Sequence, residues 1–246
     1  VPTLCSYTLD SQTVVAAEDN VMRIILRDMY ENEIGSEVPH NVSVNFFGTD
    51  VAAVLNDTSK EYVAVATWTV ADDYQPFVTV NGVLLGVSLP LTIVPAAYSP
   101  PDSVFTLSGS FVPAGDAYVF SVQLRDEFSN VITIATSDSV TFHFGDVSLS
   151  PTTDISHIWT AEHTPLVTGV YAVSAVIFGA VQQQYNYSTV EVHPAELSLV
   201  HSPFTVNATD FVAGNNFHVV VQMRDQFSNV IDGAGSTVLA AVTGPA

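Results

Sequence analysis

The sequence predicts an all-β fold of tandem seven-strand β-sandwiches, and three observations support this prediction. A short motif recurs three times at intervals of 98 and 99 residues, several segments alternate strictly between apolar and polar residues, and no convincing amphipathic helix of ten residues or more is present. Strict alternation indicates a half-buried strand, because successive side chains of a strand lie on opposite faces. About seven short strands per repeat is the count of an immunoglobulin-like sandwich.

The repeated motif consists of Arg-Asp, three variable residues and Asn, with an aromatic residue in the fourth position. An aromatic-Thr-aliphatic trio precedes each copy by about 20 residues, and a glycine follows each copy in step. These landmarks keep a constant order, which makes chance a poor explanation. The motifs are Arg27–Asn32, Arg125–Asn130 and Arg224–Asn229; the trios begin at Tyr7, Phe105 and Phe204; the glycines are Gly48, Gly145 and Gly244.

The landmarks divide the chain into three units. We predict a first repeat at residues 1–96, a second repeat at 97–195 and the first part of a third, incomplete repeat at 196–246. Half of a sandwich would expose its core and its unpaired strand edges. We therefore expect the chain to be a fragment of something longer, with completion of the third repeat by another chain as the alternative.

The segments directly before the motifs show the strand alternation. In the second repeat, Tyr118, Phe120, Val122 and Leu124 fall in one phase and the intervening residues in the other. Period two over eight residues predicts a strand with one buried face. Equivalent inward positions are Met22, Ile24 and Leu26 in the first repeat and Phe217, Val219, Val221 and Met223 in the third; further strands are expected at 42–47, 62–70, 77–85, 140–144, 171–178 and 188–192.

Turn chemistry explains every position of the motif. Its Asp carboxylate is suited to accept backbone N–H groups of the following turn, its Asn tolerates the left-handed conformation that tight turns need, and its aromatic residue can plug the end of a sandwich. We therefore interpret the motif as structural, with a ligand site built on the arginines as the alternative. The motif residues are Arg27, Asp28, Asn32, Arg125, Asp126, Asn130, Arg224, Asp225 and Asn229.

The charge balance excludes several partners. The chain has 25 acidic and 5 basic residues, a net charge of −20, which repels nucleic acid and disfavours anionic membrane surfaces. No apolar run reaches the 18 or so residues that span a bilayer, so no membrane insertion is expected in this segment. Cys5 is the only cysteine, so no disulfide forms within the chain and an unpaired thiol is expected.

Four Asn-x-Ser/Thr sequons are candidate glycosylation sites: Asn41, Asn56, Asn186 and Asn207. The chain contains one lysine, Lys60, so its polar surface must come mostly from Ser, Thr, Asn and Asp. Attached sugar would help to keep such a surface soluble. The alternative is four unmodified surface asparagines.

No pattern predicts catalysis or a cofactor. The sequence has no Gly-x-Ser-x-Gly, no His-Glu-x-x-His and no phosphate-binding loop. Its seven histidines show no metal-ligand spacing beyond chance. The loop acids Asp19, Asp72 and Asp73 could bind calcium weakly between repeats, although such acids are usually only solvated. We expect a protein that is not an enzyme and has no firm cofactor.

Three segments resemble filamin-type immunoglobulin-like repeats. These are the Ala-Gly opening (Ala114-Gly115, Ala213-Gly214), the stretch from Trp159-Thr160 to Gly169-Val170-Tyr171-Ala172-Val173, and the Val-x-Pro-Ala closure. The first repeat departs from the pattern, because Glu18 stands after Ala17 and Asp73-Tyr74-Gln75-Pro76-Phe77 replaces the Gly-x-Tyr turn. The resemblance implies a seven-strand Greek-key sandwich used as a spacer or a protein-binding module.

The lysine-poor, acidic composition looks more like the filamin-like repeats of algal, plant and protist surface proteins than like cytosolic filamins. Bacterial invasin-like adhesins share a similar Asp-Phe-x-Asn turn and are the second family-level interpretation.

Two functions fit an extracellular or cell-surface location. The first is a structural rod or spacer of a fibrous glycoprotein, which assembles with copies of itself or with other repeats of the same chain. The second is an adhesion or receptor ectodomain that binds a protein by β-strand addition, beside residues 42–47 or 140–144. A carbohydrate-binding module would need an exposed aromatic face, and the aromatic residues here fall mostly in the core phase.

Overall fold

The computed structural model describes residues 5–35, 40–46, 48–86, 88–133, 140–182, 189–206, 216, 218–232 and 239. These residues form strands connected by turns and contain no helix, which confirms the predicted all-β fold of tandem β-sandwiches. Accordingly, the described part of the chain has no helix that is long and apolar enough to cross a membrane. The chain divides into two compact units: unit 1 is Val1–Ser103 with Leu124–Thr133, and unit 2 is Val104–Gln123 with Ile134–Ala246.

The described residues of unit 1 form eleven strands in three sheets. The sheet orders are β1-β3-β7-β6, β10-β9-β4-β5 and β2-β11-β8. The pairs are antiparallel apart from β2 and β11, which run parallel. The strands are β1 Ser6–Leu9, β2 Thr13–Val15, β3 Asp19–Ile25, β4 Val42–Phe46, β5 Thr49–Ala52, β6 Val54–Asn56, β7 Glu61–Thr67, β8 Asp72–Tyr74, β9 Phe77–Val80, β10 Val83–Leu84 and β11 Leu91–Val94.

Unit 2 repeats this arrangement. One sheet has the order β12-β14-β18-β17, a second has the order β13-β21-β19-β15-β16 with β20 beside β19, and β22 pairs with β23. The strands are β12 Val104–Leu107, β13 Phe111–Pro113, β14 Tyr118–Gln123, β15 Val140–Phe144, β16 Val147–Leu149, β17 Thr152–Thr153, β18 Ile158–His163, β19 Gly169–Ile177, β20 Ala180–Gln182, β21 Thr189–His193, β22 Phe204–Val206 and β23 Val219–Val221.

A proline explains the main difference between the two units. The nine-residue strand β19 is continuous, whereas its counterpart in unit 1 is interrupted between β8 and β9. Pro76 lies in this gap, and proline cannot donate the N–H that a ladder requires. The second layer of unit 1 is therefore split into two sheets, while that of unit 2 is one sheet.

The cores lie between the layers, on the faces that the alternation predicts. In unit 1 the central cluster is Met22, Ile24, Leu26, Val42, Val44, Phe46, Tyr62, Ala64, Val78 and Leu85. In unit 2 the rings of Tyr118, Phe120, Phe142 and Phe144 are buried and lie 5.1 to 6.4 Å apart, in edge-on or stacked geometry. Aromatic pairs at such distances add to the stability from burial. Of the third repeat, Val219 and Val221 are half-buried and Phe217 lies outside the described residues.

Two sequence expectations about strands and turns are wrong. The strands found within the expected edges 42–47 and 140–144 are not open edges, because β4 (Val42–Phe46) pairs with both β5 and β9, and β15 pairs with both β16 and β19. The first repeat also keeps its tyrosine turn, because Tyr74 donates a 2.9 Å hydrogen bond to the Val70 carbonyl just as Tyr171 does to the Val167 carbonyl. In the Gly-x-Tyr pattern of this turn, the glycine is replaced by Asp72.

The opening of the first repeat is likewise shifted by one position. Ala17, with φ of 70°, takes the place of Gly115, with φ of 88°, so Glu18 does not stand for the glycine. The backbone hydrogen bonds agree, since Ala17 donates to the Trp68 carbonyl as Gly115 donates to the Pro165 carbonyl. A left-handed residue is thus required at this corner, and the first repeat supplies it with alanine at some cost in strain.

We expect the aromatic core of unit 2 to dominate its stability. Replacing the fully buried Phe120 by alanine should lower the free energy of unfolding by about 3–5 kcal/mol, because the change leaves a cavity among neighbouring rings. Phe111→Ala is the matched control, since that ring is 62% exposed and should cost far less. Urea denaturation of both variants measures the difference, and equal losses would contradict this assignment of the core.

Candidate functional site

The three copies of the motif form the same closed turn, which we call the motif turn. In the second copy, Asp126 Oδ1 accepts hydrogen bonds from the backbone N–H groups of Phe128 and Asn130, both at 2.9 Å. The Asn130 side chain donates to Asp126 Oδ2 at 2.8 Å, and the Asp126 N–H donates to the Asn130 carbonyl at 3.0 Å. One carboxylate therefore holds the whole turn, because it accepts from two backbone groups and one side chain.

The left-handed residue of the motif turn is not the asparagine, contrary to the sequence expectation. Glu31, Ser129 and Ser228, each one position before the Asn, have φ of 69°, 67° and 70°. In the second and third copies the asparagine has a different role, because its side-chain amide also binds outside the turn. That second role could not be recognised from the motif alone, since its partners lie about 60 residues away.

The Asn130 side chain binds the loop Thr69–Ala71 of the first repeat. Its Nδ2 donates to the Thr69 carbonyl at 2.7 Å, and its Oδ1 accepts from the Ala71 N–H at 2.8 Å. Asp126 Oδ2 adds a third bond, accepted from the Ala96 N–H at 2.8 Å. We call Thr69–Ala71 together with Ala96 the receiving loop. All of these residues belong to unit 1, although Asp126 and Asn130 belong by sequence to the second repeat.

We call these three hydrogen bonds between a motif turn and a receiving loop a joint. A second joint of the same kind is found within unit 2. Asn229 Nδ2 donates to the Leu166 carbonyl at 2.8 Å, and its Oδ1 accepts from the Thr168 N–H at 3.0 Å. Asp225 Oδ2 accepts from the Ala195 N–H at 2.9 Å. The second receiving loop is therefore Leu166–Thr168 with Ala195, 97 and 99 residues after its counterparts in the first repeat. In both joints a side-chain amide pairs with a carbonyl and an N–H two residues apart, as a neighbouring backbone would.

Each receiving loop is held in place by the tyrosine turn. Tyr74 donates to the carbonyl of Val70, which lies between the two backbone groups that Asn130 binds. Tyr171 does the same at Val167. This is the hydrogen bond of a tyrosine corner, from the phenol back to the backbone a few residues upstream. The recurrence of Tyr74 and Tyr171 at a spacing of 97 residues was the signal in the sequence that could have located the receiving loops.

The motif aromatic residue fills the end of the neighbouring repeat. Phe128 packs against a small buried cluster of the first repeat formed by Val14, Ala16, Tyr74, Leu91 and Ile93. Phe227 in unit 2 lies so close to Gly115 that a Cβ atom there would come within 2.5 Å of its ring. Gly115 therefore has two functions in this turn. It adopts a left-handed φ, and it leaves room for the ring of Phe227, the aromatic residue of the following motif. The aromatic ring plugs the preceding sandwich rather than its own.

Burial and hydrogen bonding act in opposite directions on the motif aspartates. Burial by itself would raise the pKa of Asp126, but the hydrogen bonds from Asn130, Ala96 and Phe128 outweigh it, and the pKa is lowered from its ordinary value. The pKa of Asp225 is lowered in the same way by Asn229, Ala195 and Phe227. Both carboxylates are fully buried and ionised, and their donors replace the water that they lose.

The arginines close the motif turn from its exposed side. Arg27 donates to the Glu31 carbonyl at 3.0 Å and pairs with Glu33 at 2.9 Å, and Arg224 donates to the Ser228 carbonyl. These contacts use part of the guanidinium donors of Arg27 and Arg224, and a ligand site built on the arginines stays an untested alternative. Cys5 accepts a hydrogen bond at its sulfur from the backbone N–H of Arg27. The equivalent N–H groups of Arg125 and Arg224 donate to the hydroxyl oxygens of Ser103 and Ser202. The lone thiol thus stands where the other repeats have serine.

The remaining candidate residues are dispersed. Asn41 and Asn56 are exposed, whereas Asn186 and Asn207 lie outside the described residues. Asp19 accepts from the Thr67 hydroxyl and Asp73 from the Thr92 hydroxyl, both as local cross-strand bonds. Nowhere in the described ranges do three His, Cys, Asp or Glu residues gather closely enough to hold a metal ion.

Solved structures of bacterial adhesins resemble this chain. The Escherichia coli adhesin FdeC is 17% identical, with a TM-score of 0.61 over 93% of this chain and 75% of that one. InvD of Yersinia pseudotuberculosis is 18% identical, with a TM-score of 0.64 over 94% of this chain and 73% of that one. The bacterial integrin-binding protein invasin is 14% identical, with a TM-score of 0.62 over 92% of this chain and 54% of that one.

At these identities the likeness shows the fold, a series of immunoglobulin-like sandwiches, and nothing finer. No family model matches the sequence, and no curated protein sequence matches it.

The side-chain amide of Asn130 should protect the receiving loop from hydrogen exchange. Asn130→Ala removes the acceptor of the Ala71 N–H and leaves that half-buried donor without a protein partner, so its exchange should accelerate by about tenfold or more. Asn32→Ala is the matched control, because Asn32 makes its bonds within its own turn. NMR measurement of the amide exchange rate of Ala71 tests this effect. An unchanged exchange rate in Asn130→Ala would contradict the contact between Asn130 and the receiving loop.

The joints should weaken in acid. An aspartate whose folded pKa is lowered stabilises the fold fully above the unfolded value of about 3.9, and this stabilisation is lost as the pH falls through the folded pKa. The stability gap between the wild type and Asp126→Asn should therefore be constant at neutral pH and shrink progressively below about pH 4. Urea unfolding over a pH series measures the gap. A gap that widens in acid would be inconsistent with an ionised Asp126.

Proposed function

We propose that this chain is a spacer segment of a cell-surface adhesin-like protein, in which tandem immunoglobulin-like repeats are fastened to one another by motif turns. The observation that carries this proposal is the joint itself: the same three hydrogen bonds form twice, at the same spacing, around a buried aspartate. Neighbouring domains move relative to each other by default unless their contact is specific or large. A joint of this kind restricts that motion locally.

The energetics favour a joint between tethered repeats. Three hydrogen bonds contribute about 1 kcal/mol each in net terms, together with the partial burial of one aromatic ring. Association of two free chains costs about 4–15 kcal/mol in lost translation and rotation, which this joint does not cover. Covalent linkage removes most of that cost. The partners of each repeat are therefore other repeats of the same long chain rather than independent proteins.

The comparisons favour the bacterial adhesin interpretation over the algal or protist filamin interpretation. FdeC and InvD are adhesins, and invasin is an integrin-binding protein, by their own descriptions. The Asp-Phe-x-Asn turn that this sequence shares with invasin-like repeats is the element that forms the joint. A surface location and the absence of catalysis are parts of this proposal. Sugar attached at Asn41, Asn56, Asn186 or Asn207 would instead favour the interpretation of the chain as part of a eukaryotic surface glycoprotein.

Ligand binding by strand addition has less support. Residues 42–46 and 140–144, beside which a ligand strand was expected, have neighbours on both sides within their sheets. A ligand strand would have to displace β5 or β16 first. Self-assembly through those strands faces the same barrier, so the spacer function is the one proposed.

Loss of the joint between the first and second repeats should broaden the distribution of distances between them. Spin labels at Val54→Cys and Thr133→Cys, two exposed positions that both belong to unit 1, report this distribution by pulsed electron resonance in a Cys5→Ser background. We expect a narrow distribution that broadens clearly in Asp126→Ala/Asn130→Ala. The matched control is Asp28→Ala/Asn32→Ala, whose turn lies outside this joint. A broad distribution in the parent, or an unchanged one in the variant, would contradict the spacer function.

A further inference from the structure

The first motif turn, Arg27–Asn32, is built like the other two but binds no receiving loop in the described part of the chain. Asp28 Oδ1 accepts from the N–H groups of Tyr30 and Asn32 at 2.8 and 2.9 Å, and Asn32 donates to Asp28 Oδ2 at 3.0 Å. These distances agree with those of the Asp126 turn to within about 0.2 Å. The turn is therefore fully formed without contact to a receiving loop among the described residues.

The first motif turn differs from the other two in the exposure and hydrogen bonding of the groups that a receiving loop would cover. Asp28 is half-buried, whereas Asp126 and Asp225 are fully buried. Tyr30 is 74% exposed, although its counterpart Phe128 packs into the preceding repeat. Within the described residues, Asn32 Oδ1 accepts no hydrogen bond, while the equivalent oxygens of Asn130 and Asn229 each accept a backbone N–H. The first turn thus presents an aromatic ring and two unused acceptor positions together.

We propose that the Arg27–Asn32 turn is a docking element for the end of another β-sandwich repeat, located immediately upstream in the same polypeptide. This inference rests on the proposed function. The occupant must offer a carbonyl and an N–H two residues apart for Asn32, a third N–H for Asp28, and an apolar recess for Tyr30. Both receiving loops seen here have this chemistry. Tyrosine in place of phenylalanine adds a hydroxyl that the rim of such a recess can hydrate.

The spacing along the chain favours an upstream repeat over a second copy. In both joints, 30 residues separate the alanine of the receiving loop from the aspartate of the motif turn. The same interval before Asp28 falls just ahead of Val1. A second copy of the described chain has both of its receiving loops occupied by its own motif turns, so it has none to offer. Tethering at a constant spacing also supplies the high local concentration that a small joint needs.

A lengthened chain tests the proposal directly. Residues 1–98 are duplicated ahead of the whole 246-residue chain, which places a receiving loop upstream of Asp28 at the natural spacing. The added copy carries Tyr30→Phe, so that the mass of the peptide distinguishes the original Tyr30. Hydroxyl-radical footprinting then compares the oxidation of the original Tyr30 in the lengthened and the parent chain. We expect its oxidation to fall severalfold in the lengthened chain.

Two control variants isolate the contacts. Asp28→Ala/Asn32→Ala in the original copy alters the motif turn, and Ala71→Pro in the added copy removes the N–H that Asn32 would bind. Either change should return the oxidation of Tyr30 to its level in the parent chain. Equal oxidation in the lengthened and parent chains would overturn the proposal. So would protection of Tyr30 in the parent chain that increases with protein concentration, because that outcome identifies a second copy as the occupant.

The outcomes also separate this inference from the spacer function. If the distance distribution between the first and second repeats responds to Asp126→Ala/Asn130→Ala while Tyr30 stays exposed in the lengthened chain, the spacer function stands and only the upstream docking fails. If neither responds, the joint itself is refuted.

Discussion

A buried, ionised aspartate at the head of each docked motif turn is the constraint on which the rest of the arrangement depends. A carboxylate without donors would be too costly to bury. The donors come from two sources: Asp126 receives two N–H groups and an amide from its own turn, and one N–H from the preceding repeat. The charge is therefore fully satisfied only when the motif turn contacts its receiving loop, so each carboxylate stabilises both its own turn and this contact.

The receiving side is prepared by elements that look unrelated in the sequence. Tyr74 and Tyr171 fix the loops through their hydroxyl groups, so that a carbonyl and an N–H point to one partner. Gly115 leaves space for the Phe227 ring, which a Cβ atom would meet at 2.5 Å. The prolines before Ala96 and Ala195 hold the backbone near a fixed φ just ahead of the third donor. Each element serves its own sandwich and also shapes the site for the next repeat.

Much of the fold, but only half of the site, was predictable from the sequence. Alternation places Tyr118, Phe120 and Val122 in the core because period-two burial is a local property. The capture of backbone N–H groups by Asp126 is local too. The partners of Asn130 are 59 and 61 residues away, so no pattern within the motif reveals them. The left-handed residue was misassigned for a similar reason, since asparagine suits that conformation but is needed here for its amide.

A joint made of one turn and one loop behaves as a nearest-neighbour term in a linear array. In such arrays each repeat contacts only the repeats beside it, and stability is approximately a sum of repeat and interface contributions. The constant interval of 30 residues in both joints is what this physics requires, because a shift of even one residue would move the aspartate away from its third donor. The interval from Thr69 to Asn130 is 61 residues and that from Leu166 to Asn229 is 63, so the joint fixes the spacing only between the alanine and the next aspartate, and the size of the sandwich sets the rest of the period.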